Sequence, residues 1–204
     1  MGRAKAWLPF GDESLLARIV HIVSVAVDPV IVVAAVSQEL PPLPDGVTVV
    51  RDRHSGKGPL AGLAAGLAAL EGRCDAAYLS SCDVPFLTPA FIRRAIDSLG
   101  DAEIAVPEIR GYPHPLAGVY RMAVRPTVER MLAGGRLRMR DLLDEVPTSF
   151  LGAEWFAGVG WESLDNVNAP EEYEAALKKL EGIPCTRTKP TSTVTPAPPA
   201  TATS

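Results

Sequence analysis

Cysteine is scarce in this chain: Cys74, Cys82 and Cys185 form no CxxC pair and no spacing that suits zinc. An odd, scattered set argues against a disulfide framework and favours a reducing compartment, the cytoplasm. Long apolar runs are missing as well. The longest nearly apolar stretch, IVSVAVDPVIVVAAV from Ile22, is interrupted by Asp28-Pro29 and falls short of the roughly 20 residues that cross a bilayer. No secretory signal is visible. The opening Met-Gly lacks the Ser or Thr that myristoylation needs at the sixth position, where Ala6 stands. Excess positive charge is absent too: 20 Lys and Arg against 24 Asp and Glu leave a formal −4. That argues against a broad basic surface for nucleic acid, while a local basic pocket for a small phosphate ligand stays open. Together these absences point to a soluble protein with neither a membrane nor a nucleic-acid partner.

What is present is enough apolar material for a full core, 47% of 204 residues. Residues 1–183 read as one domain. Residues 184–204, PCTRTKPTSTVTPAPPATATS, are dominated by Thr and Pro. Such a segment buries too little apolar surface to offset its ordering entropy, so it reads as a disordered tail, with a partner-binding peptide as the alternative.

Within the domain, helical and strand patterns alternate. Apolar residues at helical spacing follow Asp12, a candidate helix start, as far as Val27. VIVVAAV, VTVVRD and AAYLSSCD read as strands, the first apolar on both faces as in a parallel sheet interior. PLAGLAAGLAALEG reads as a helix with Pro59 at its first position, and Thr88 to Leu99 as another. EIAVPEI and PLAGVYR read as strands. MAVRPTVERMLAGG, with Pro126 as a kink or a start, and RMRDLLDEV read as helices, and a last helix runs from Pro170 to Leu180. The alternation predicts an α/β fold, a three-layer Rossmann-like arrangement around a mostly parallel central sheet. Ligands of such sheets sit outside the carboxyl ends of the strands.

Three stretches place polar chemistry there. In RDRHSGKGPLAG, Asp52 ends a strand and Gly56 and Gly58 precede a helix whose unpaired amides suit a polar or anionic ligand. The stretch lacks both GxGxxG and the P-loop pattern, and an ordinary strand-to-helix loop reads the same way. In YLSSCDVPFLTP, Asp83 at a strand tip suits a hard cation such as Mg²⁺, or a turn. In ESLDNVNAPEEY, Asn166 and Asn168 alternate on an extended segment before Pro170, which suits either a ligand-facing amide pair or simple helix entry. Gly62 and Gly66 read as a close-packing pair on the sheet. His54 and His114 fall near the ligand face without a paired nucleophile, and Cys82 reads as a buried strand residue.

Taken together, MGRAKAWLPFGDESLL, VVRDRHSGKGPLAGLAAGL, AYLSSCDVPFL, HPLAGVY and DNVNAPEEY resemble the molybdenum cofactor guanylyltransferases, from Met1 to about Leu180. The resemblance implies a nucleotidyltransferase that uses Mg²⁺ to couple GMP from GTP to molybdopterin, with molybdoenzymes or other proteins of cofactor synthesis as further partners. It implies nucleotide contacts at Gly2, Lys5, Asp52, Gly58, Pro59, Leu60, Ala61, Gly62 and Asp83. Lys5 and Asp83 are then the catalytic residues and Asp83 the metal ligand, with Asn166 and Asn168 toward the pterin. A related enzyme with another nucleotide or acceptor, or a non-catalytic binding protein, is the alternative. The family usually opens with a strand and Leu-Ala-Gly-Gly-x-Ser-x-Arg-Met-Gly-x-Asp-Lys. Here Met1, Gly2 and Lys5 match, Ala4 replaces the aspartate, and Ala34 replaces a later asparagine. The expectation is a chain that starts inside the nucleotide loop, lacks the first strand, and is poorly active and marginally stable unless a longer form exists.

Overall fold

The computed structural model describes residues 4–52 and 56–182; Gly2, His54 and the expected tail from 184 to 204 lie outside them. The described chain begins with one 3₁₀ turn, Lys5–Trp7. Two short strands follow, β1 (Pro9–Phe10) and β2 (Glu13–Ser14), paired antiparallel. Burial alternates through this segment, with Ala6, Leu8 and Phe10 inward and Trp7 and Pro9 outward, the period of an extended chain. Pairing takes up Glu13 and Ser14, so the helix expected at Asp12 begins later. Ser14 is its N-cap, its Oγ accepting from the Ala17 amide at 3.2 Å. The helix, α1 (Leu15–Ala26), buries Leu15, Leu16, Ile19, Val20 and Val23 as its spacing requires.

Strands β3 (Ile31–Ala35) and β4 (Thr48–Asp52) pair in parallel, Ile31 opposite Thr48. Then come α2 (Gly58–Ala69), with Pro59 in its first turn, β5 (Ala76–Tyr78), and α3 (Pro89–Asp97), capped by Thr88 Oγ1 on the Phe91 amide at 3.2 Å. Strands β6 (Ile104–Ile109), β7 (Tyr112–Pro113) and β8 (Val119–Arg121) precede α4 (Arg125–Ala133), in which Pro126 sits in the first turn, a start and not a kink. The rest is α5 (Met139–Glu145), β9 (Thr148–Leu151) and α6 (Pro170–Glu181).

The fold is α/β and Rossmann-like, and its strand pairing is mixed. Beside the parallel pairs β3–β4 and β6–β9, β8 runs antiparallel to both β5 and β6. Residues Pro115–Ala117, expected as the start of a strand, form a 3₁₀ turn, so only Val119–Arg121 joins the ladder. Strand β9 carries no clean alternation in sequence and was not expected. Among the described residues, no strand pairs with both β3 and β5. Helices join the two sheets instead. Leu60, Leu63 and Leu67 of α2 share a core with Ile104, Val106 and Tyr120, against which Ala77 and Leu79 pack, and α2 also lies on β3 and β4. Ile19 and Val23 of α1 share a second core with Phe91 and Ile92 of α3, against which Val30 and Tyr78 pack.

Candidate active site

Beyond Tyr78 the chain stays extended but leaves the regular ladder. Leu79 and Ser81 donate their amides to the Gly118 and Leu116 carbonyls at 2.8 and 3.2 Å. Asp83 therefore stands five residues past the end of β5, not at its tip as expected, because the facing chain turns into 3₁₀ geometry and offers only alternate carbonyls. The aspartate is fixed from elsewhere: its carbonyl accepts from the Val167 amide at 2.9 Å.

Val167 is the centre of the extended segment predicted from DNVNAP. It is buried with Phe10 and Leu15, while its neighbours Asn166 and Asn168 are exposed, because successive side chains of an extended chain point to opposite sides. Glu172 then ties the segment to α6 by accepting from the Asn168 and Ala169 amides at 2.7 and 3.0 Å. Those two hydrogen bonds to the charged form hold its carboxyl below the usual range.

Lys5 closes the constellation. Its ammonium donates to Asp83 Oδ2 at 2.8 Å and to Asn168 Oδ1 at 2.5 Å. The 3₁₀ turn brings it there: Ala6, next to it, is anchored in a core with Leu16, Val20 and Val32, and Cys82 packs on the same cluster. Asp83 and Lys5 side chains are 15% and 33% exposed, so the pair is partly sheltered and still reachable. The other carboxylate oxygen, Asp83 Oδ1, is buried and has no hydrogen-bond partner among the described residues. An orphaned carboxylate oxygen beside an amide oxygen is a hard-donor set, and it fits a small oxygen-preferring cation held by one carboxylate plus ligand oxygens. No group of three or more His, Cys, Asp or Glu suited to a metal exists among the described residues, so those residues by themselves do not build a full cage.

The constellation opens on a cavity of about 370 Å³ lined by Ser81, Asp83, His114, Leu164, Asn166 and Asn168, among others. A broader one of about 630 Å³ adjoins it through His114 and Leu164 and is flanked by Tyr112 and Trp161, 70% and 56% exposed. Partial burial pushes the His114 imidazole below its ordinary value, which leaves it neutral at pH 7. Burial also pushes the Cys82 thiol up, Asp83 adding to the rise and Lys5 opposing it. The thiol is half-buried against the core around Ala6 and lies beyond β5, not within a strand as expected, and its raised pKa makes it a poor nucleophile.

Four expected site residues thus meet: Lys5 and Asp83 with Asn168 in direct contact, and Asn166 in the same cavity wall. The loop before α2 stands apart from that wall. Asp52 ends β4, and Gly56 and Gly58 take φ of +82° and +71°, where a side chain would be strained. Leu60 and Ala61 are wholly buried, backbone included, so in this structure the surface of the turn belongs to Gly58 and Pro59, which are exposed, and Gly62, which is half-buried. The cavity walls at Ser81 and Leu164, and the aromatic flanks Tyr112 and Trp161, were not assigned from sequence, whereas His114, expected near the ligand face, lines both cavities. A large aromatic side chain becomes a signal only once its exposure is known.

Comparison with known proteins shows the family of this chain. Residues 1–149 match the model of the MobA-like NTP transferase domain. A Mycobacterium tuberculosis protein named "Probable molybdenum cofactor guanylyltransferase" is 39% identical over 151 residues, 71% of this chain and 73% of the relative. A Carboxydothermus hydrogenoformans protein of the same name is 30% identical over 184 residues, 87% and 89% of the two chains. The crystal structure of molybdopterin-guanine dinucleotide biosynthesis protein A from Archaeoglobus fulgidus superposes with a TM-score of 0.74 at 17% identity, over 89% of this chain and 93% of that one, a likeness of fold.

Proposed function

This chain belongs to the MobA-like NTP transferase domain family and is a nucleotidyltransferase; we propose that it transfers GMP from GTP to molybdopterin and releases pyrophosphate. The choice of guanine and of the pterin acceptor is supported by the relatives, whose names state guanylyltransferase. The observation that carries the site is the convergence of Lys5, Asp83 and Asn168 at the mouth of a cavity.

In this reading a terminal phosphate oxygen of molybdopterin attacks the α-phosphorus of GTP. The bond from the α-phosphorus to its bridging oxygen breaks on the far side, and that oxygen leaves with pyrophosphate. Asp83 would hold Mg²⁺ through the oxygen left without a partner among the described residues. Bound there, the ion would supply charge neutralisation at the phosphates. Lys5 neutralises part of the triphosphate charge. The turn into α2 lies against guanine through Gly58, Pro59 and Gly62, with Leu60 and Ala61 packed beneath them, and with Gly2 and Asp52 also on the nucleotide side. Asn166 and Asn168 face the acceptor across the cavity that His114 and Leu164 share with its aromatic neighbour. Placement and electrostatics do most of the work, as in other phosphoryl transfers. Delivery to molybdoenzymes in the cytoplasm would follow.

The test is turnover with molybdopterin, Mg²⁺ and GTP, CTP or ATP, the dinucleotide product being resolved by mass and pyrophosphate counted. GTP should be the substrate, with one pyrophosphate per product. Asp83→Ala should lower kcat/KM by about 10²-fold or more, the scale of losing a strong electrostatic contact to the transition state. Preference for CTP overturns the guanine assignment, and full activity of Asp83→Ala overturns the site.

A further inference from the structure

Lys5 stands where a cation is wanted. Two oxygens from distant parts of the chain, Asp83 Oδ2 and Asn168 Oδ1, converge on its ammonium at 2.8 and 2.5 Å. The backbone that carries those oxygens is fixed. Asp83 and the 166–168 segment are stapled by the Val167 amide on the Asp83 carbonyl at 2.9 Å. Glu172 pins the Asn168 amide from the other side at 2.7 Å, and Val167 is buried between them. The ammonium is the movable part, a point charge on a flexible four-carbon stem rooted in a short 3₁₀ turn. Beneath it, Asp83 Oδ1 remains buried and unpartnered among the described residues, so the ammonium answers only half of the carboxylate.

We propose that Lys5 is the resident cation of this site. With no ligand bound, its ammonium takes the place that a divalent ion takes later, and the ion must displace it from Asp83. The displaced ammonium is then free to meet the phosphates of the nucleotide. The inference rests on Asp83 as the metal carboxylate. It adds an order of events: metal and Lys5 oppose each other on the bare protein. A triphosphate removes the opposition, because its oxygens accept the ammonium and take coordination positions on the ion at once. Metal and nucleotide therefore bind cooperatively, and Lys5 is the origin of the coupling. The arrangement also keeps a partly buried carboxylate neutralised in the empty protein, where a lone charge would be costly.

The experiment is titration of the intact chain with Mn²⁺ alone, following the loss of the free-ion electron paramagnetic resonance signal, and then with a non-hydrolysable GTP analogue present. No turnover is needed. Lys5→Met keeps the length of the stem and removes the charge. It should bind Mn²⁺ about tenfold more tightly than the wild type without nucleotide, within the usual range of coupling between sites. The analogue should tighten Mn²⁺ binding in the wild type and leave it nearly unchanged in Lys5→Met. Lys5→Gln should behave as Lys5→Met does, which separates loss of charge from any defect of one variant's folding. Unchanged or weaker Mn²⁺ binding in both variants overturns the resident-cation role, while loss of binding in Asp83→Asn alone leaves the metal assignment standing. Equal Mn²⁺ binding by the wild type, both Lys5 variants and Asp83→Asn overturns both.

Discussion

Adding one methyl group at Gly118 should strain the element that aims Asp83. Gly118 lies at φ −111° and ψ 167°, an ordinary extended conformation, so its glycine is not required by the backbone. It is required by space. A Cβ there would stand 2.6 Å from Val106 Cγ1, 3.0 Å from the Ala105 carbonyl oxygen and 3.3 Å from Tyr120 Cε2. The carbonyl belongs to β6 and is held in the sheet, Val106 is wholly buried, and Tyr120 is both buried and tied to the Pro115 carbonyl at 2.6 Å. None of the three can step aside without moving its strand. Overpacking of this kind costs about 1–3 kcal/mol. In a domain of this size each kcal/mol lowers Tm by about 2–4 °C, so Gly118→Ala should melt roughly 2–12 °C below the wild type. The Gly118 carbonyl also receives the Leu79 amide, so the displacement travels along the extended segment to Asp83. Turnover of the folded variant at 20 °C should fall with stability. Differential scanning calorimetry and the pyrophosphate assay read both effects. A Tm equal to or above that of the wild type would refute the steric argument.

Gly62 makes the opposite case: a Cβ there meets nothing within 4 Å, so Gly62→Ala should stabilise α2 by about 0.5–1 kcal/mol. If the nucleotide lies against this turn, the same variant should raise KM for GTP, and unchanged KM would remove Gly62 from the nucleotide site. Phe91→Ala should cost about 3–5 kcal/mol, because Phe91 is wholly buried and meets the Trp155 ring edge-on at 4.9 Å; urea titration and a red shift of tryptophan emission check this. Glu172→Ala should lower Tm near neutrality. The Glu172 carboxyl is held below its ordinary value of 4.5 by the Asn168 and Ala169 amides. Its contribution is therefore present above that value and lost as the pH falls through the lower folded one. The Tm gap to the wild type should close in melts taken from pH 6 downward, and a gap that widens would refute the assignment. Cys82 should react with Ellman's reagent at pH 8 far more slowly in the native protein than in urea, since burial and Asp83 raise its thiol.

Much of the architecture could be read from local pattern. Helices α1, α2, α3, α4, α5 and α6 announced themselves by apolar spacing, and α2, α3, α4 and α6 also by Pro or Thr at their starts, since a helix is closed by contacts three and four residues away. The start of α1 was expected at Asp12 and lies at Ser14. Strands β3, β4 and β6 showed in runs of branched residues. The short elements did not show. Two-residue strands such as β1 and β2 exist only because a partner is near, and β9 is a strand because β6 lies beside it. The Gly62–Gly66 pair read as a packing device; a Cβ at Gly66 would meet Val33 Cγ2 at an ordinary 3.5 Å, so neither glycine is demanded by the sheet.

The amino-acid order by itself determined which side chains were available for phosphate and cation chemistry, and the family signature that links them. Alternation placed Asn166 and Asn168 on one side of their segment before any contact was known. Only the tertiary structure decided that Lys5 meets Asp83 and Asn168 across 78 and 163 residues, and that Leu60 and Ala61 are wholly buried. The reason is physical. Periodicity encodes which way a side chain points from its own element, whereas a charge pair depends on how separate elements pack, and packing is settled by the whole core together.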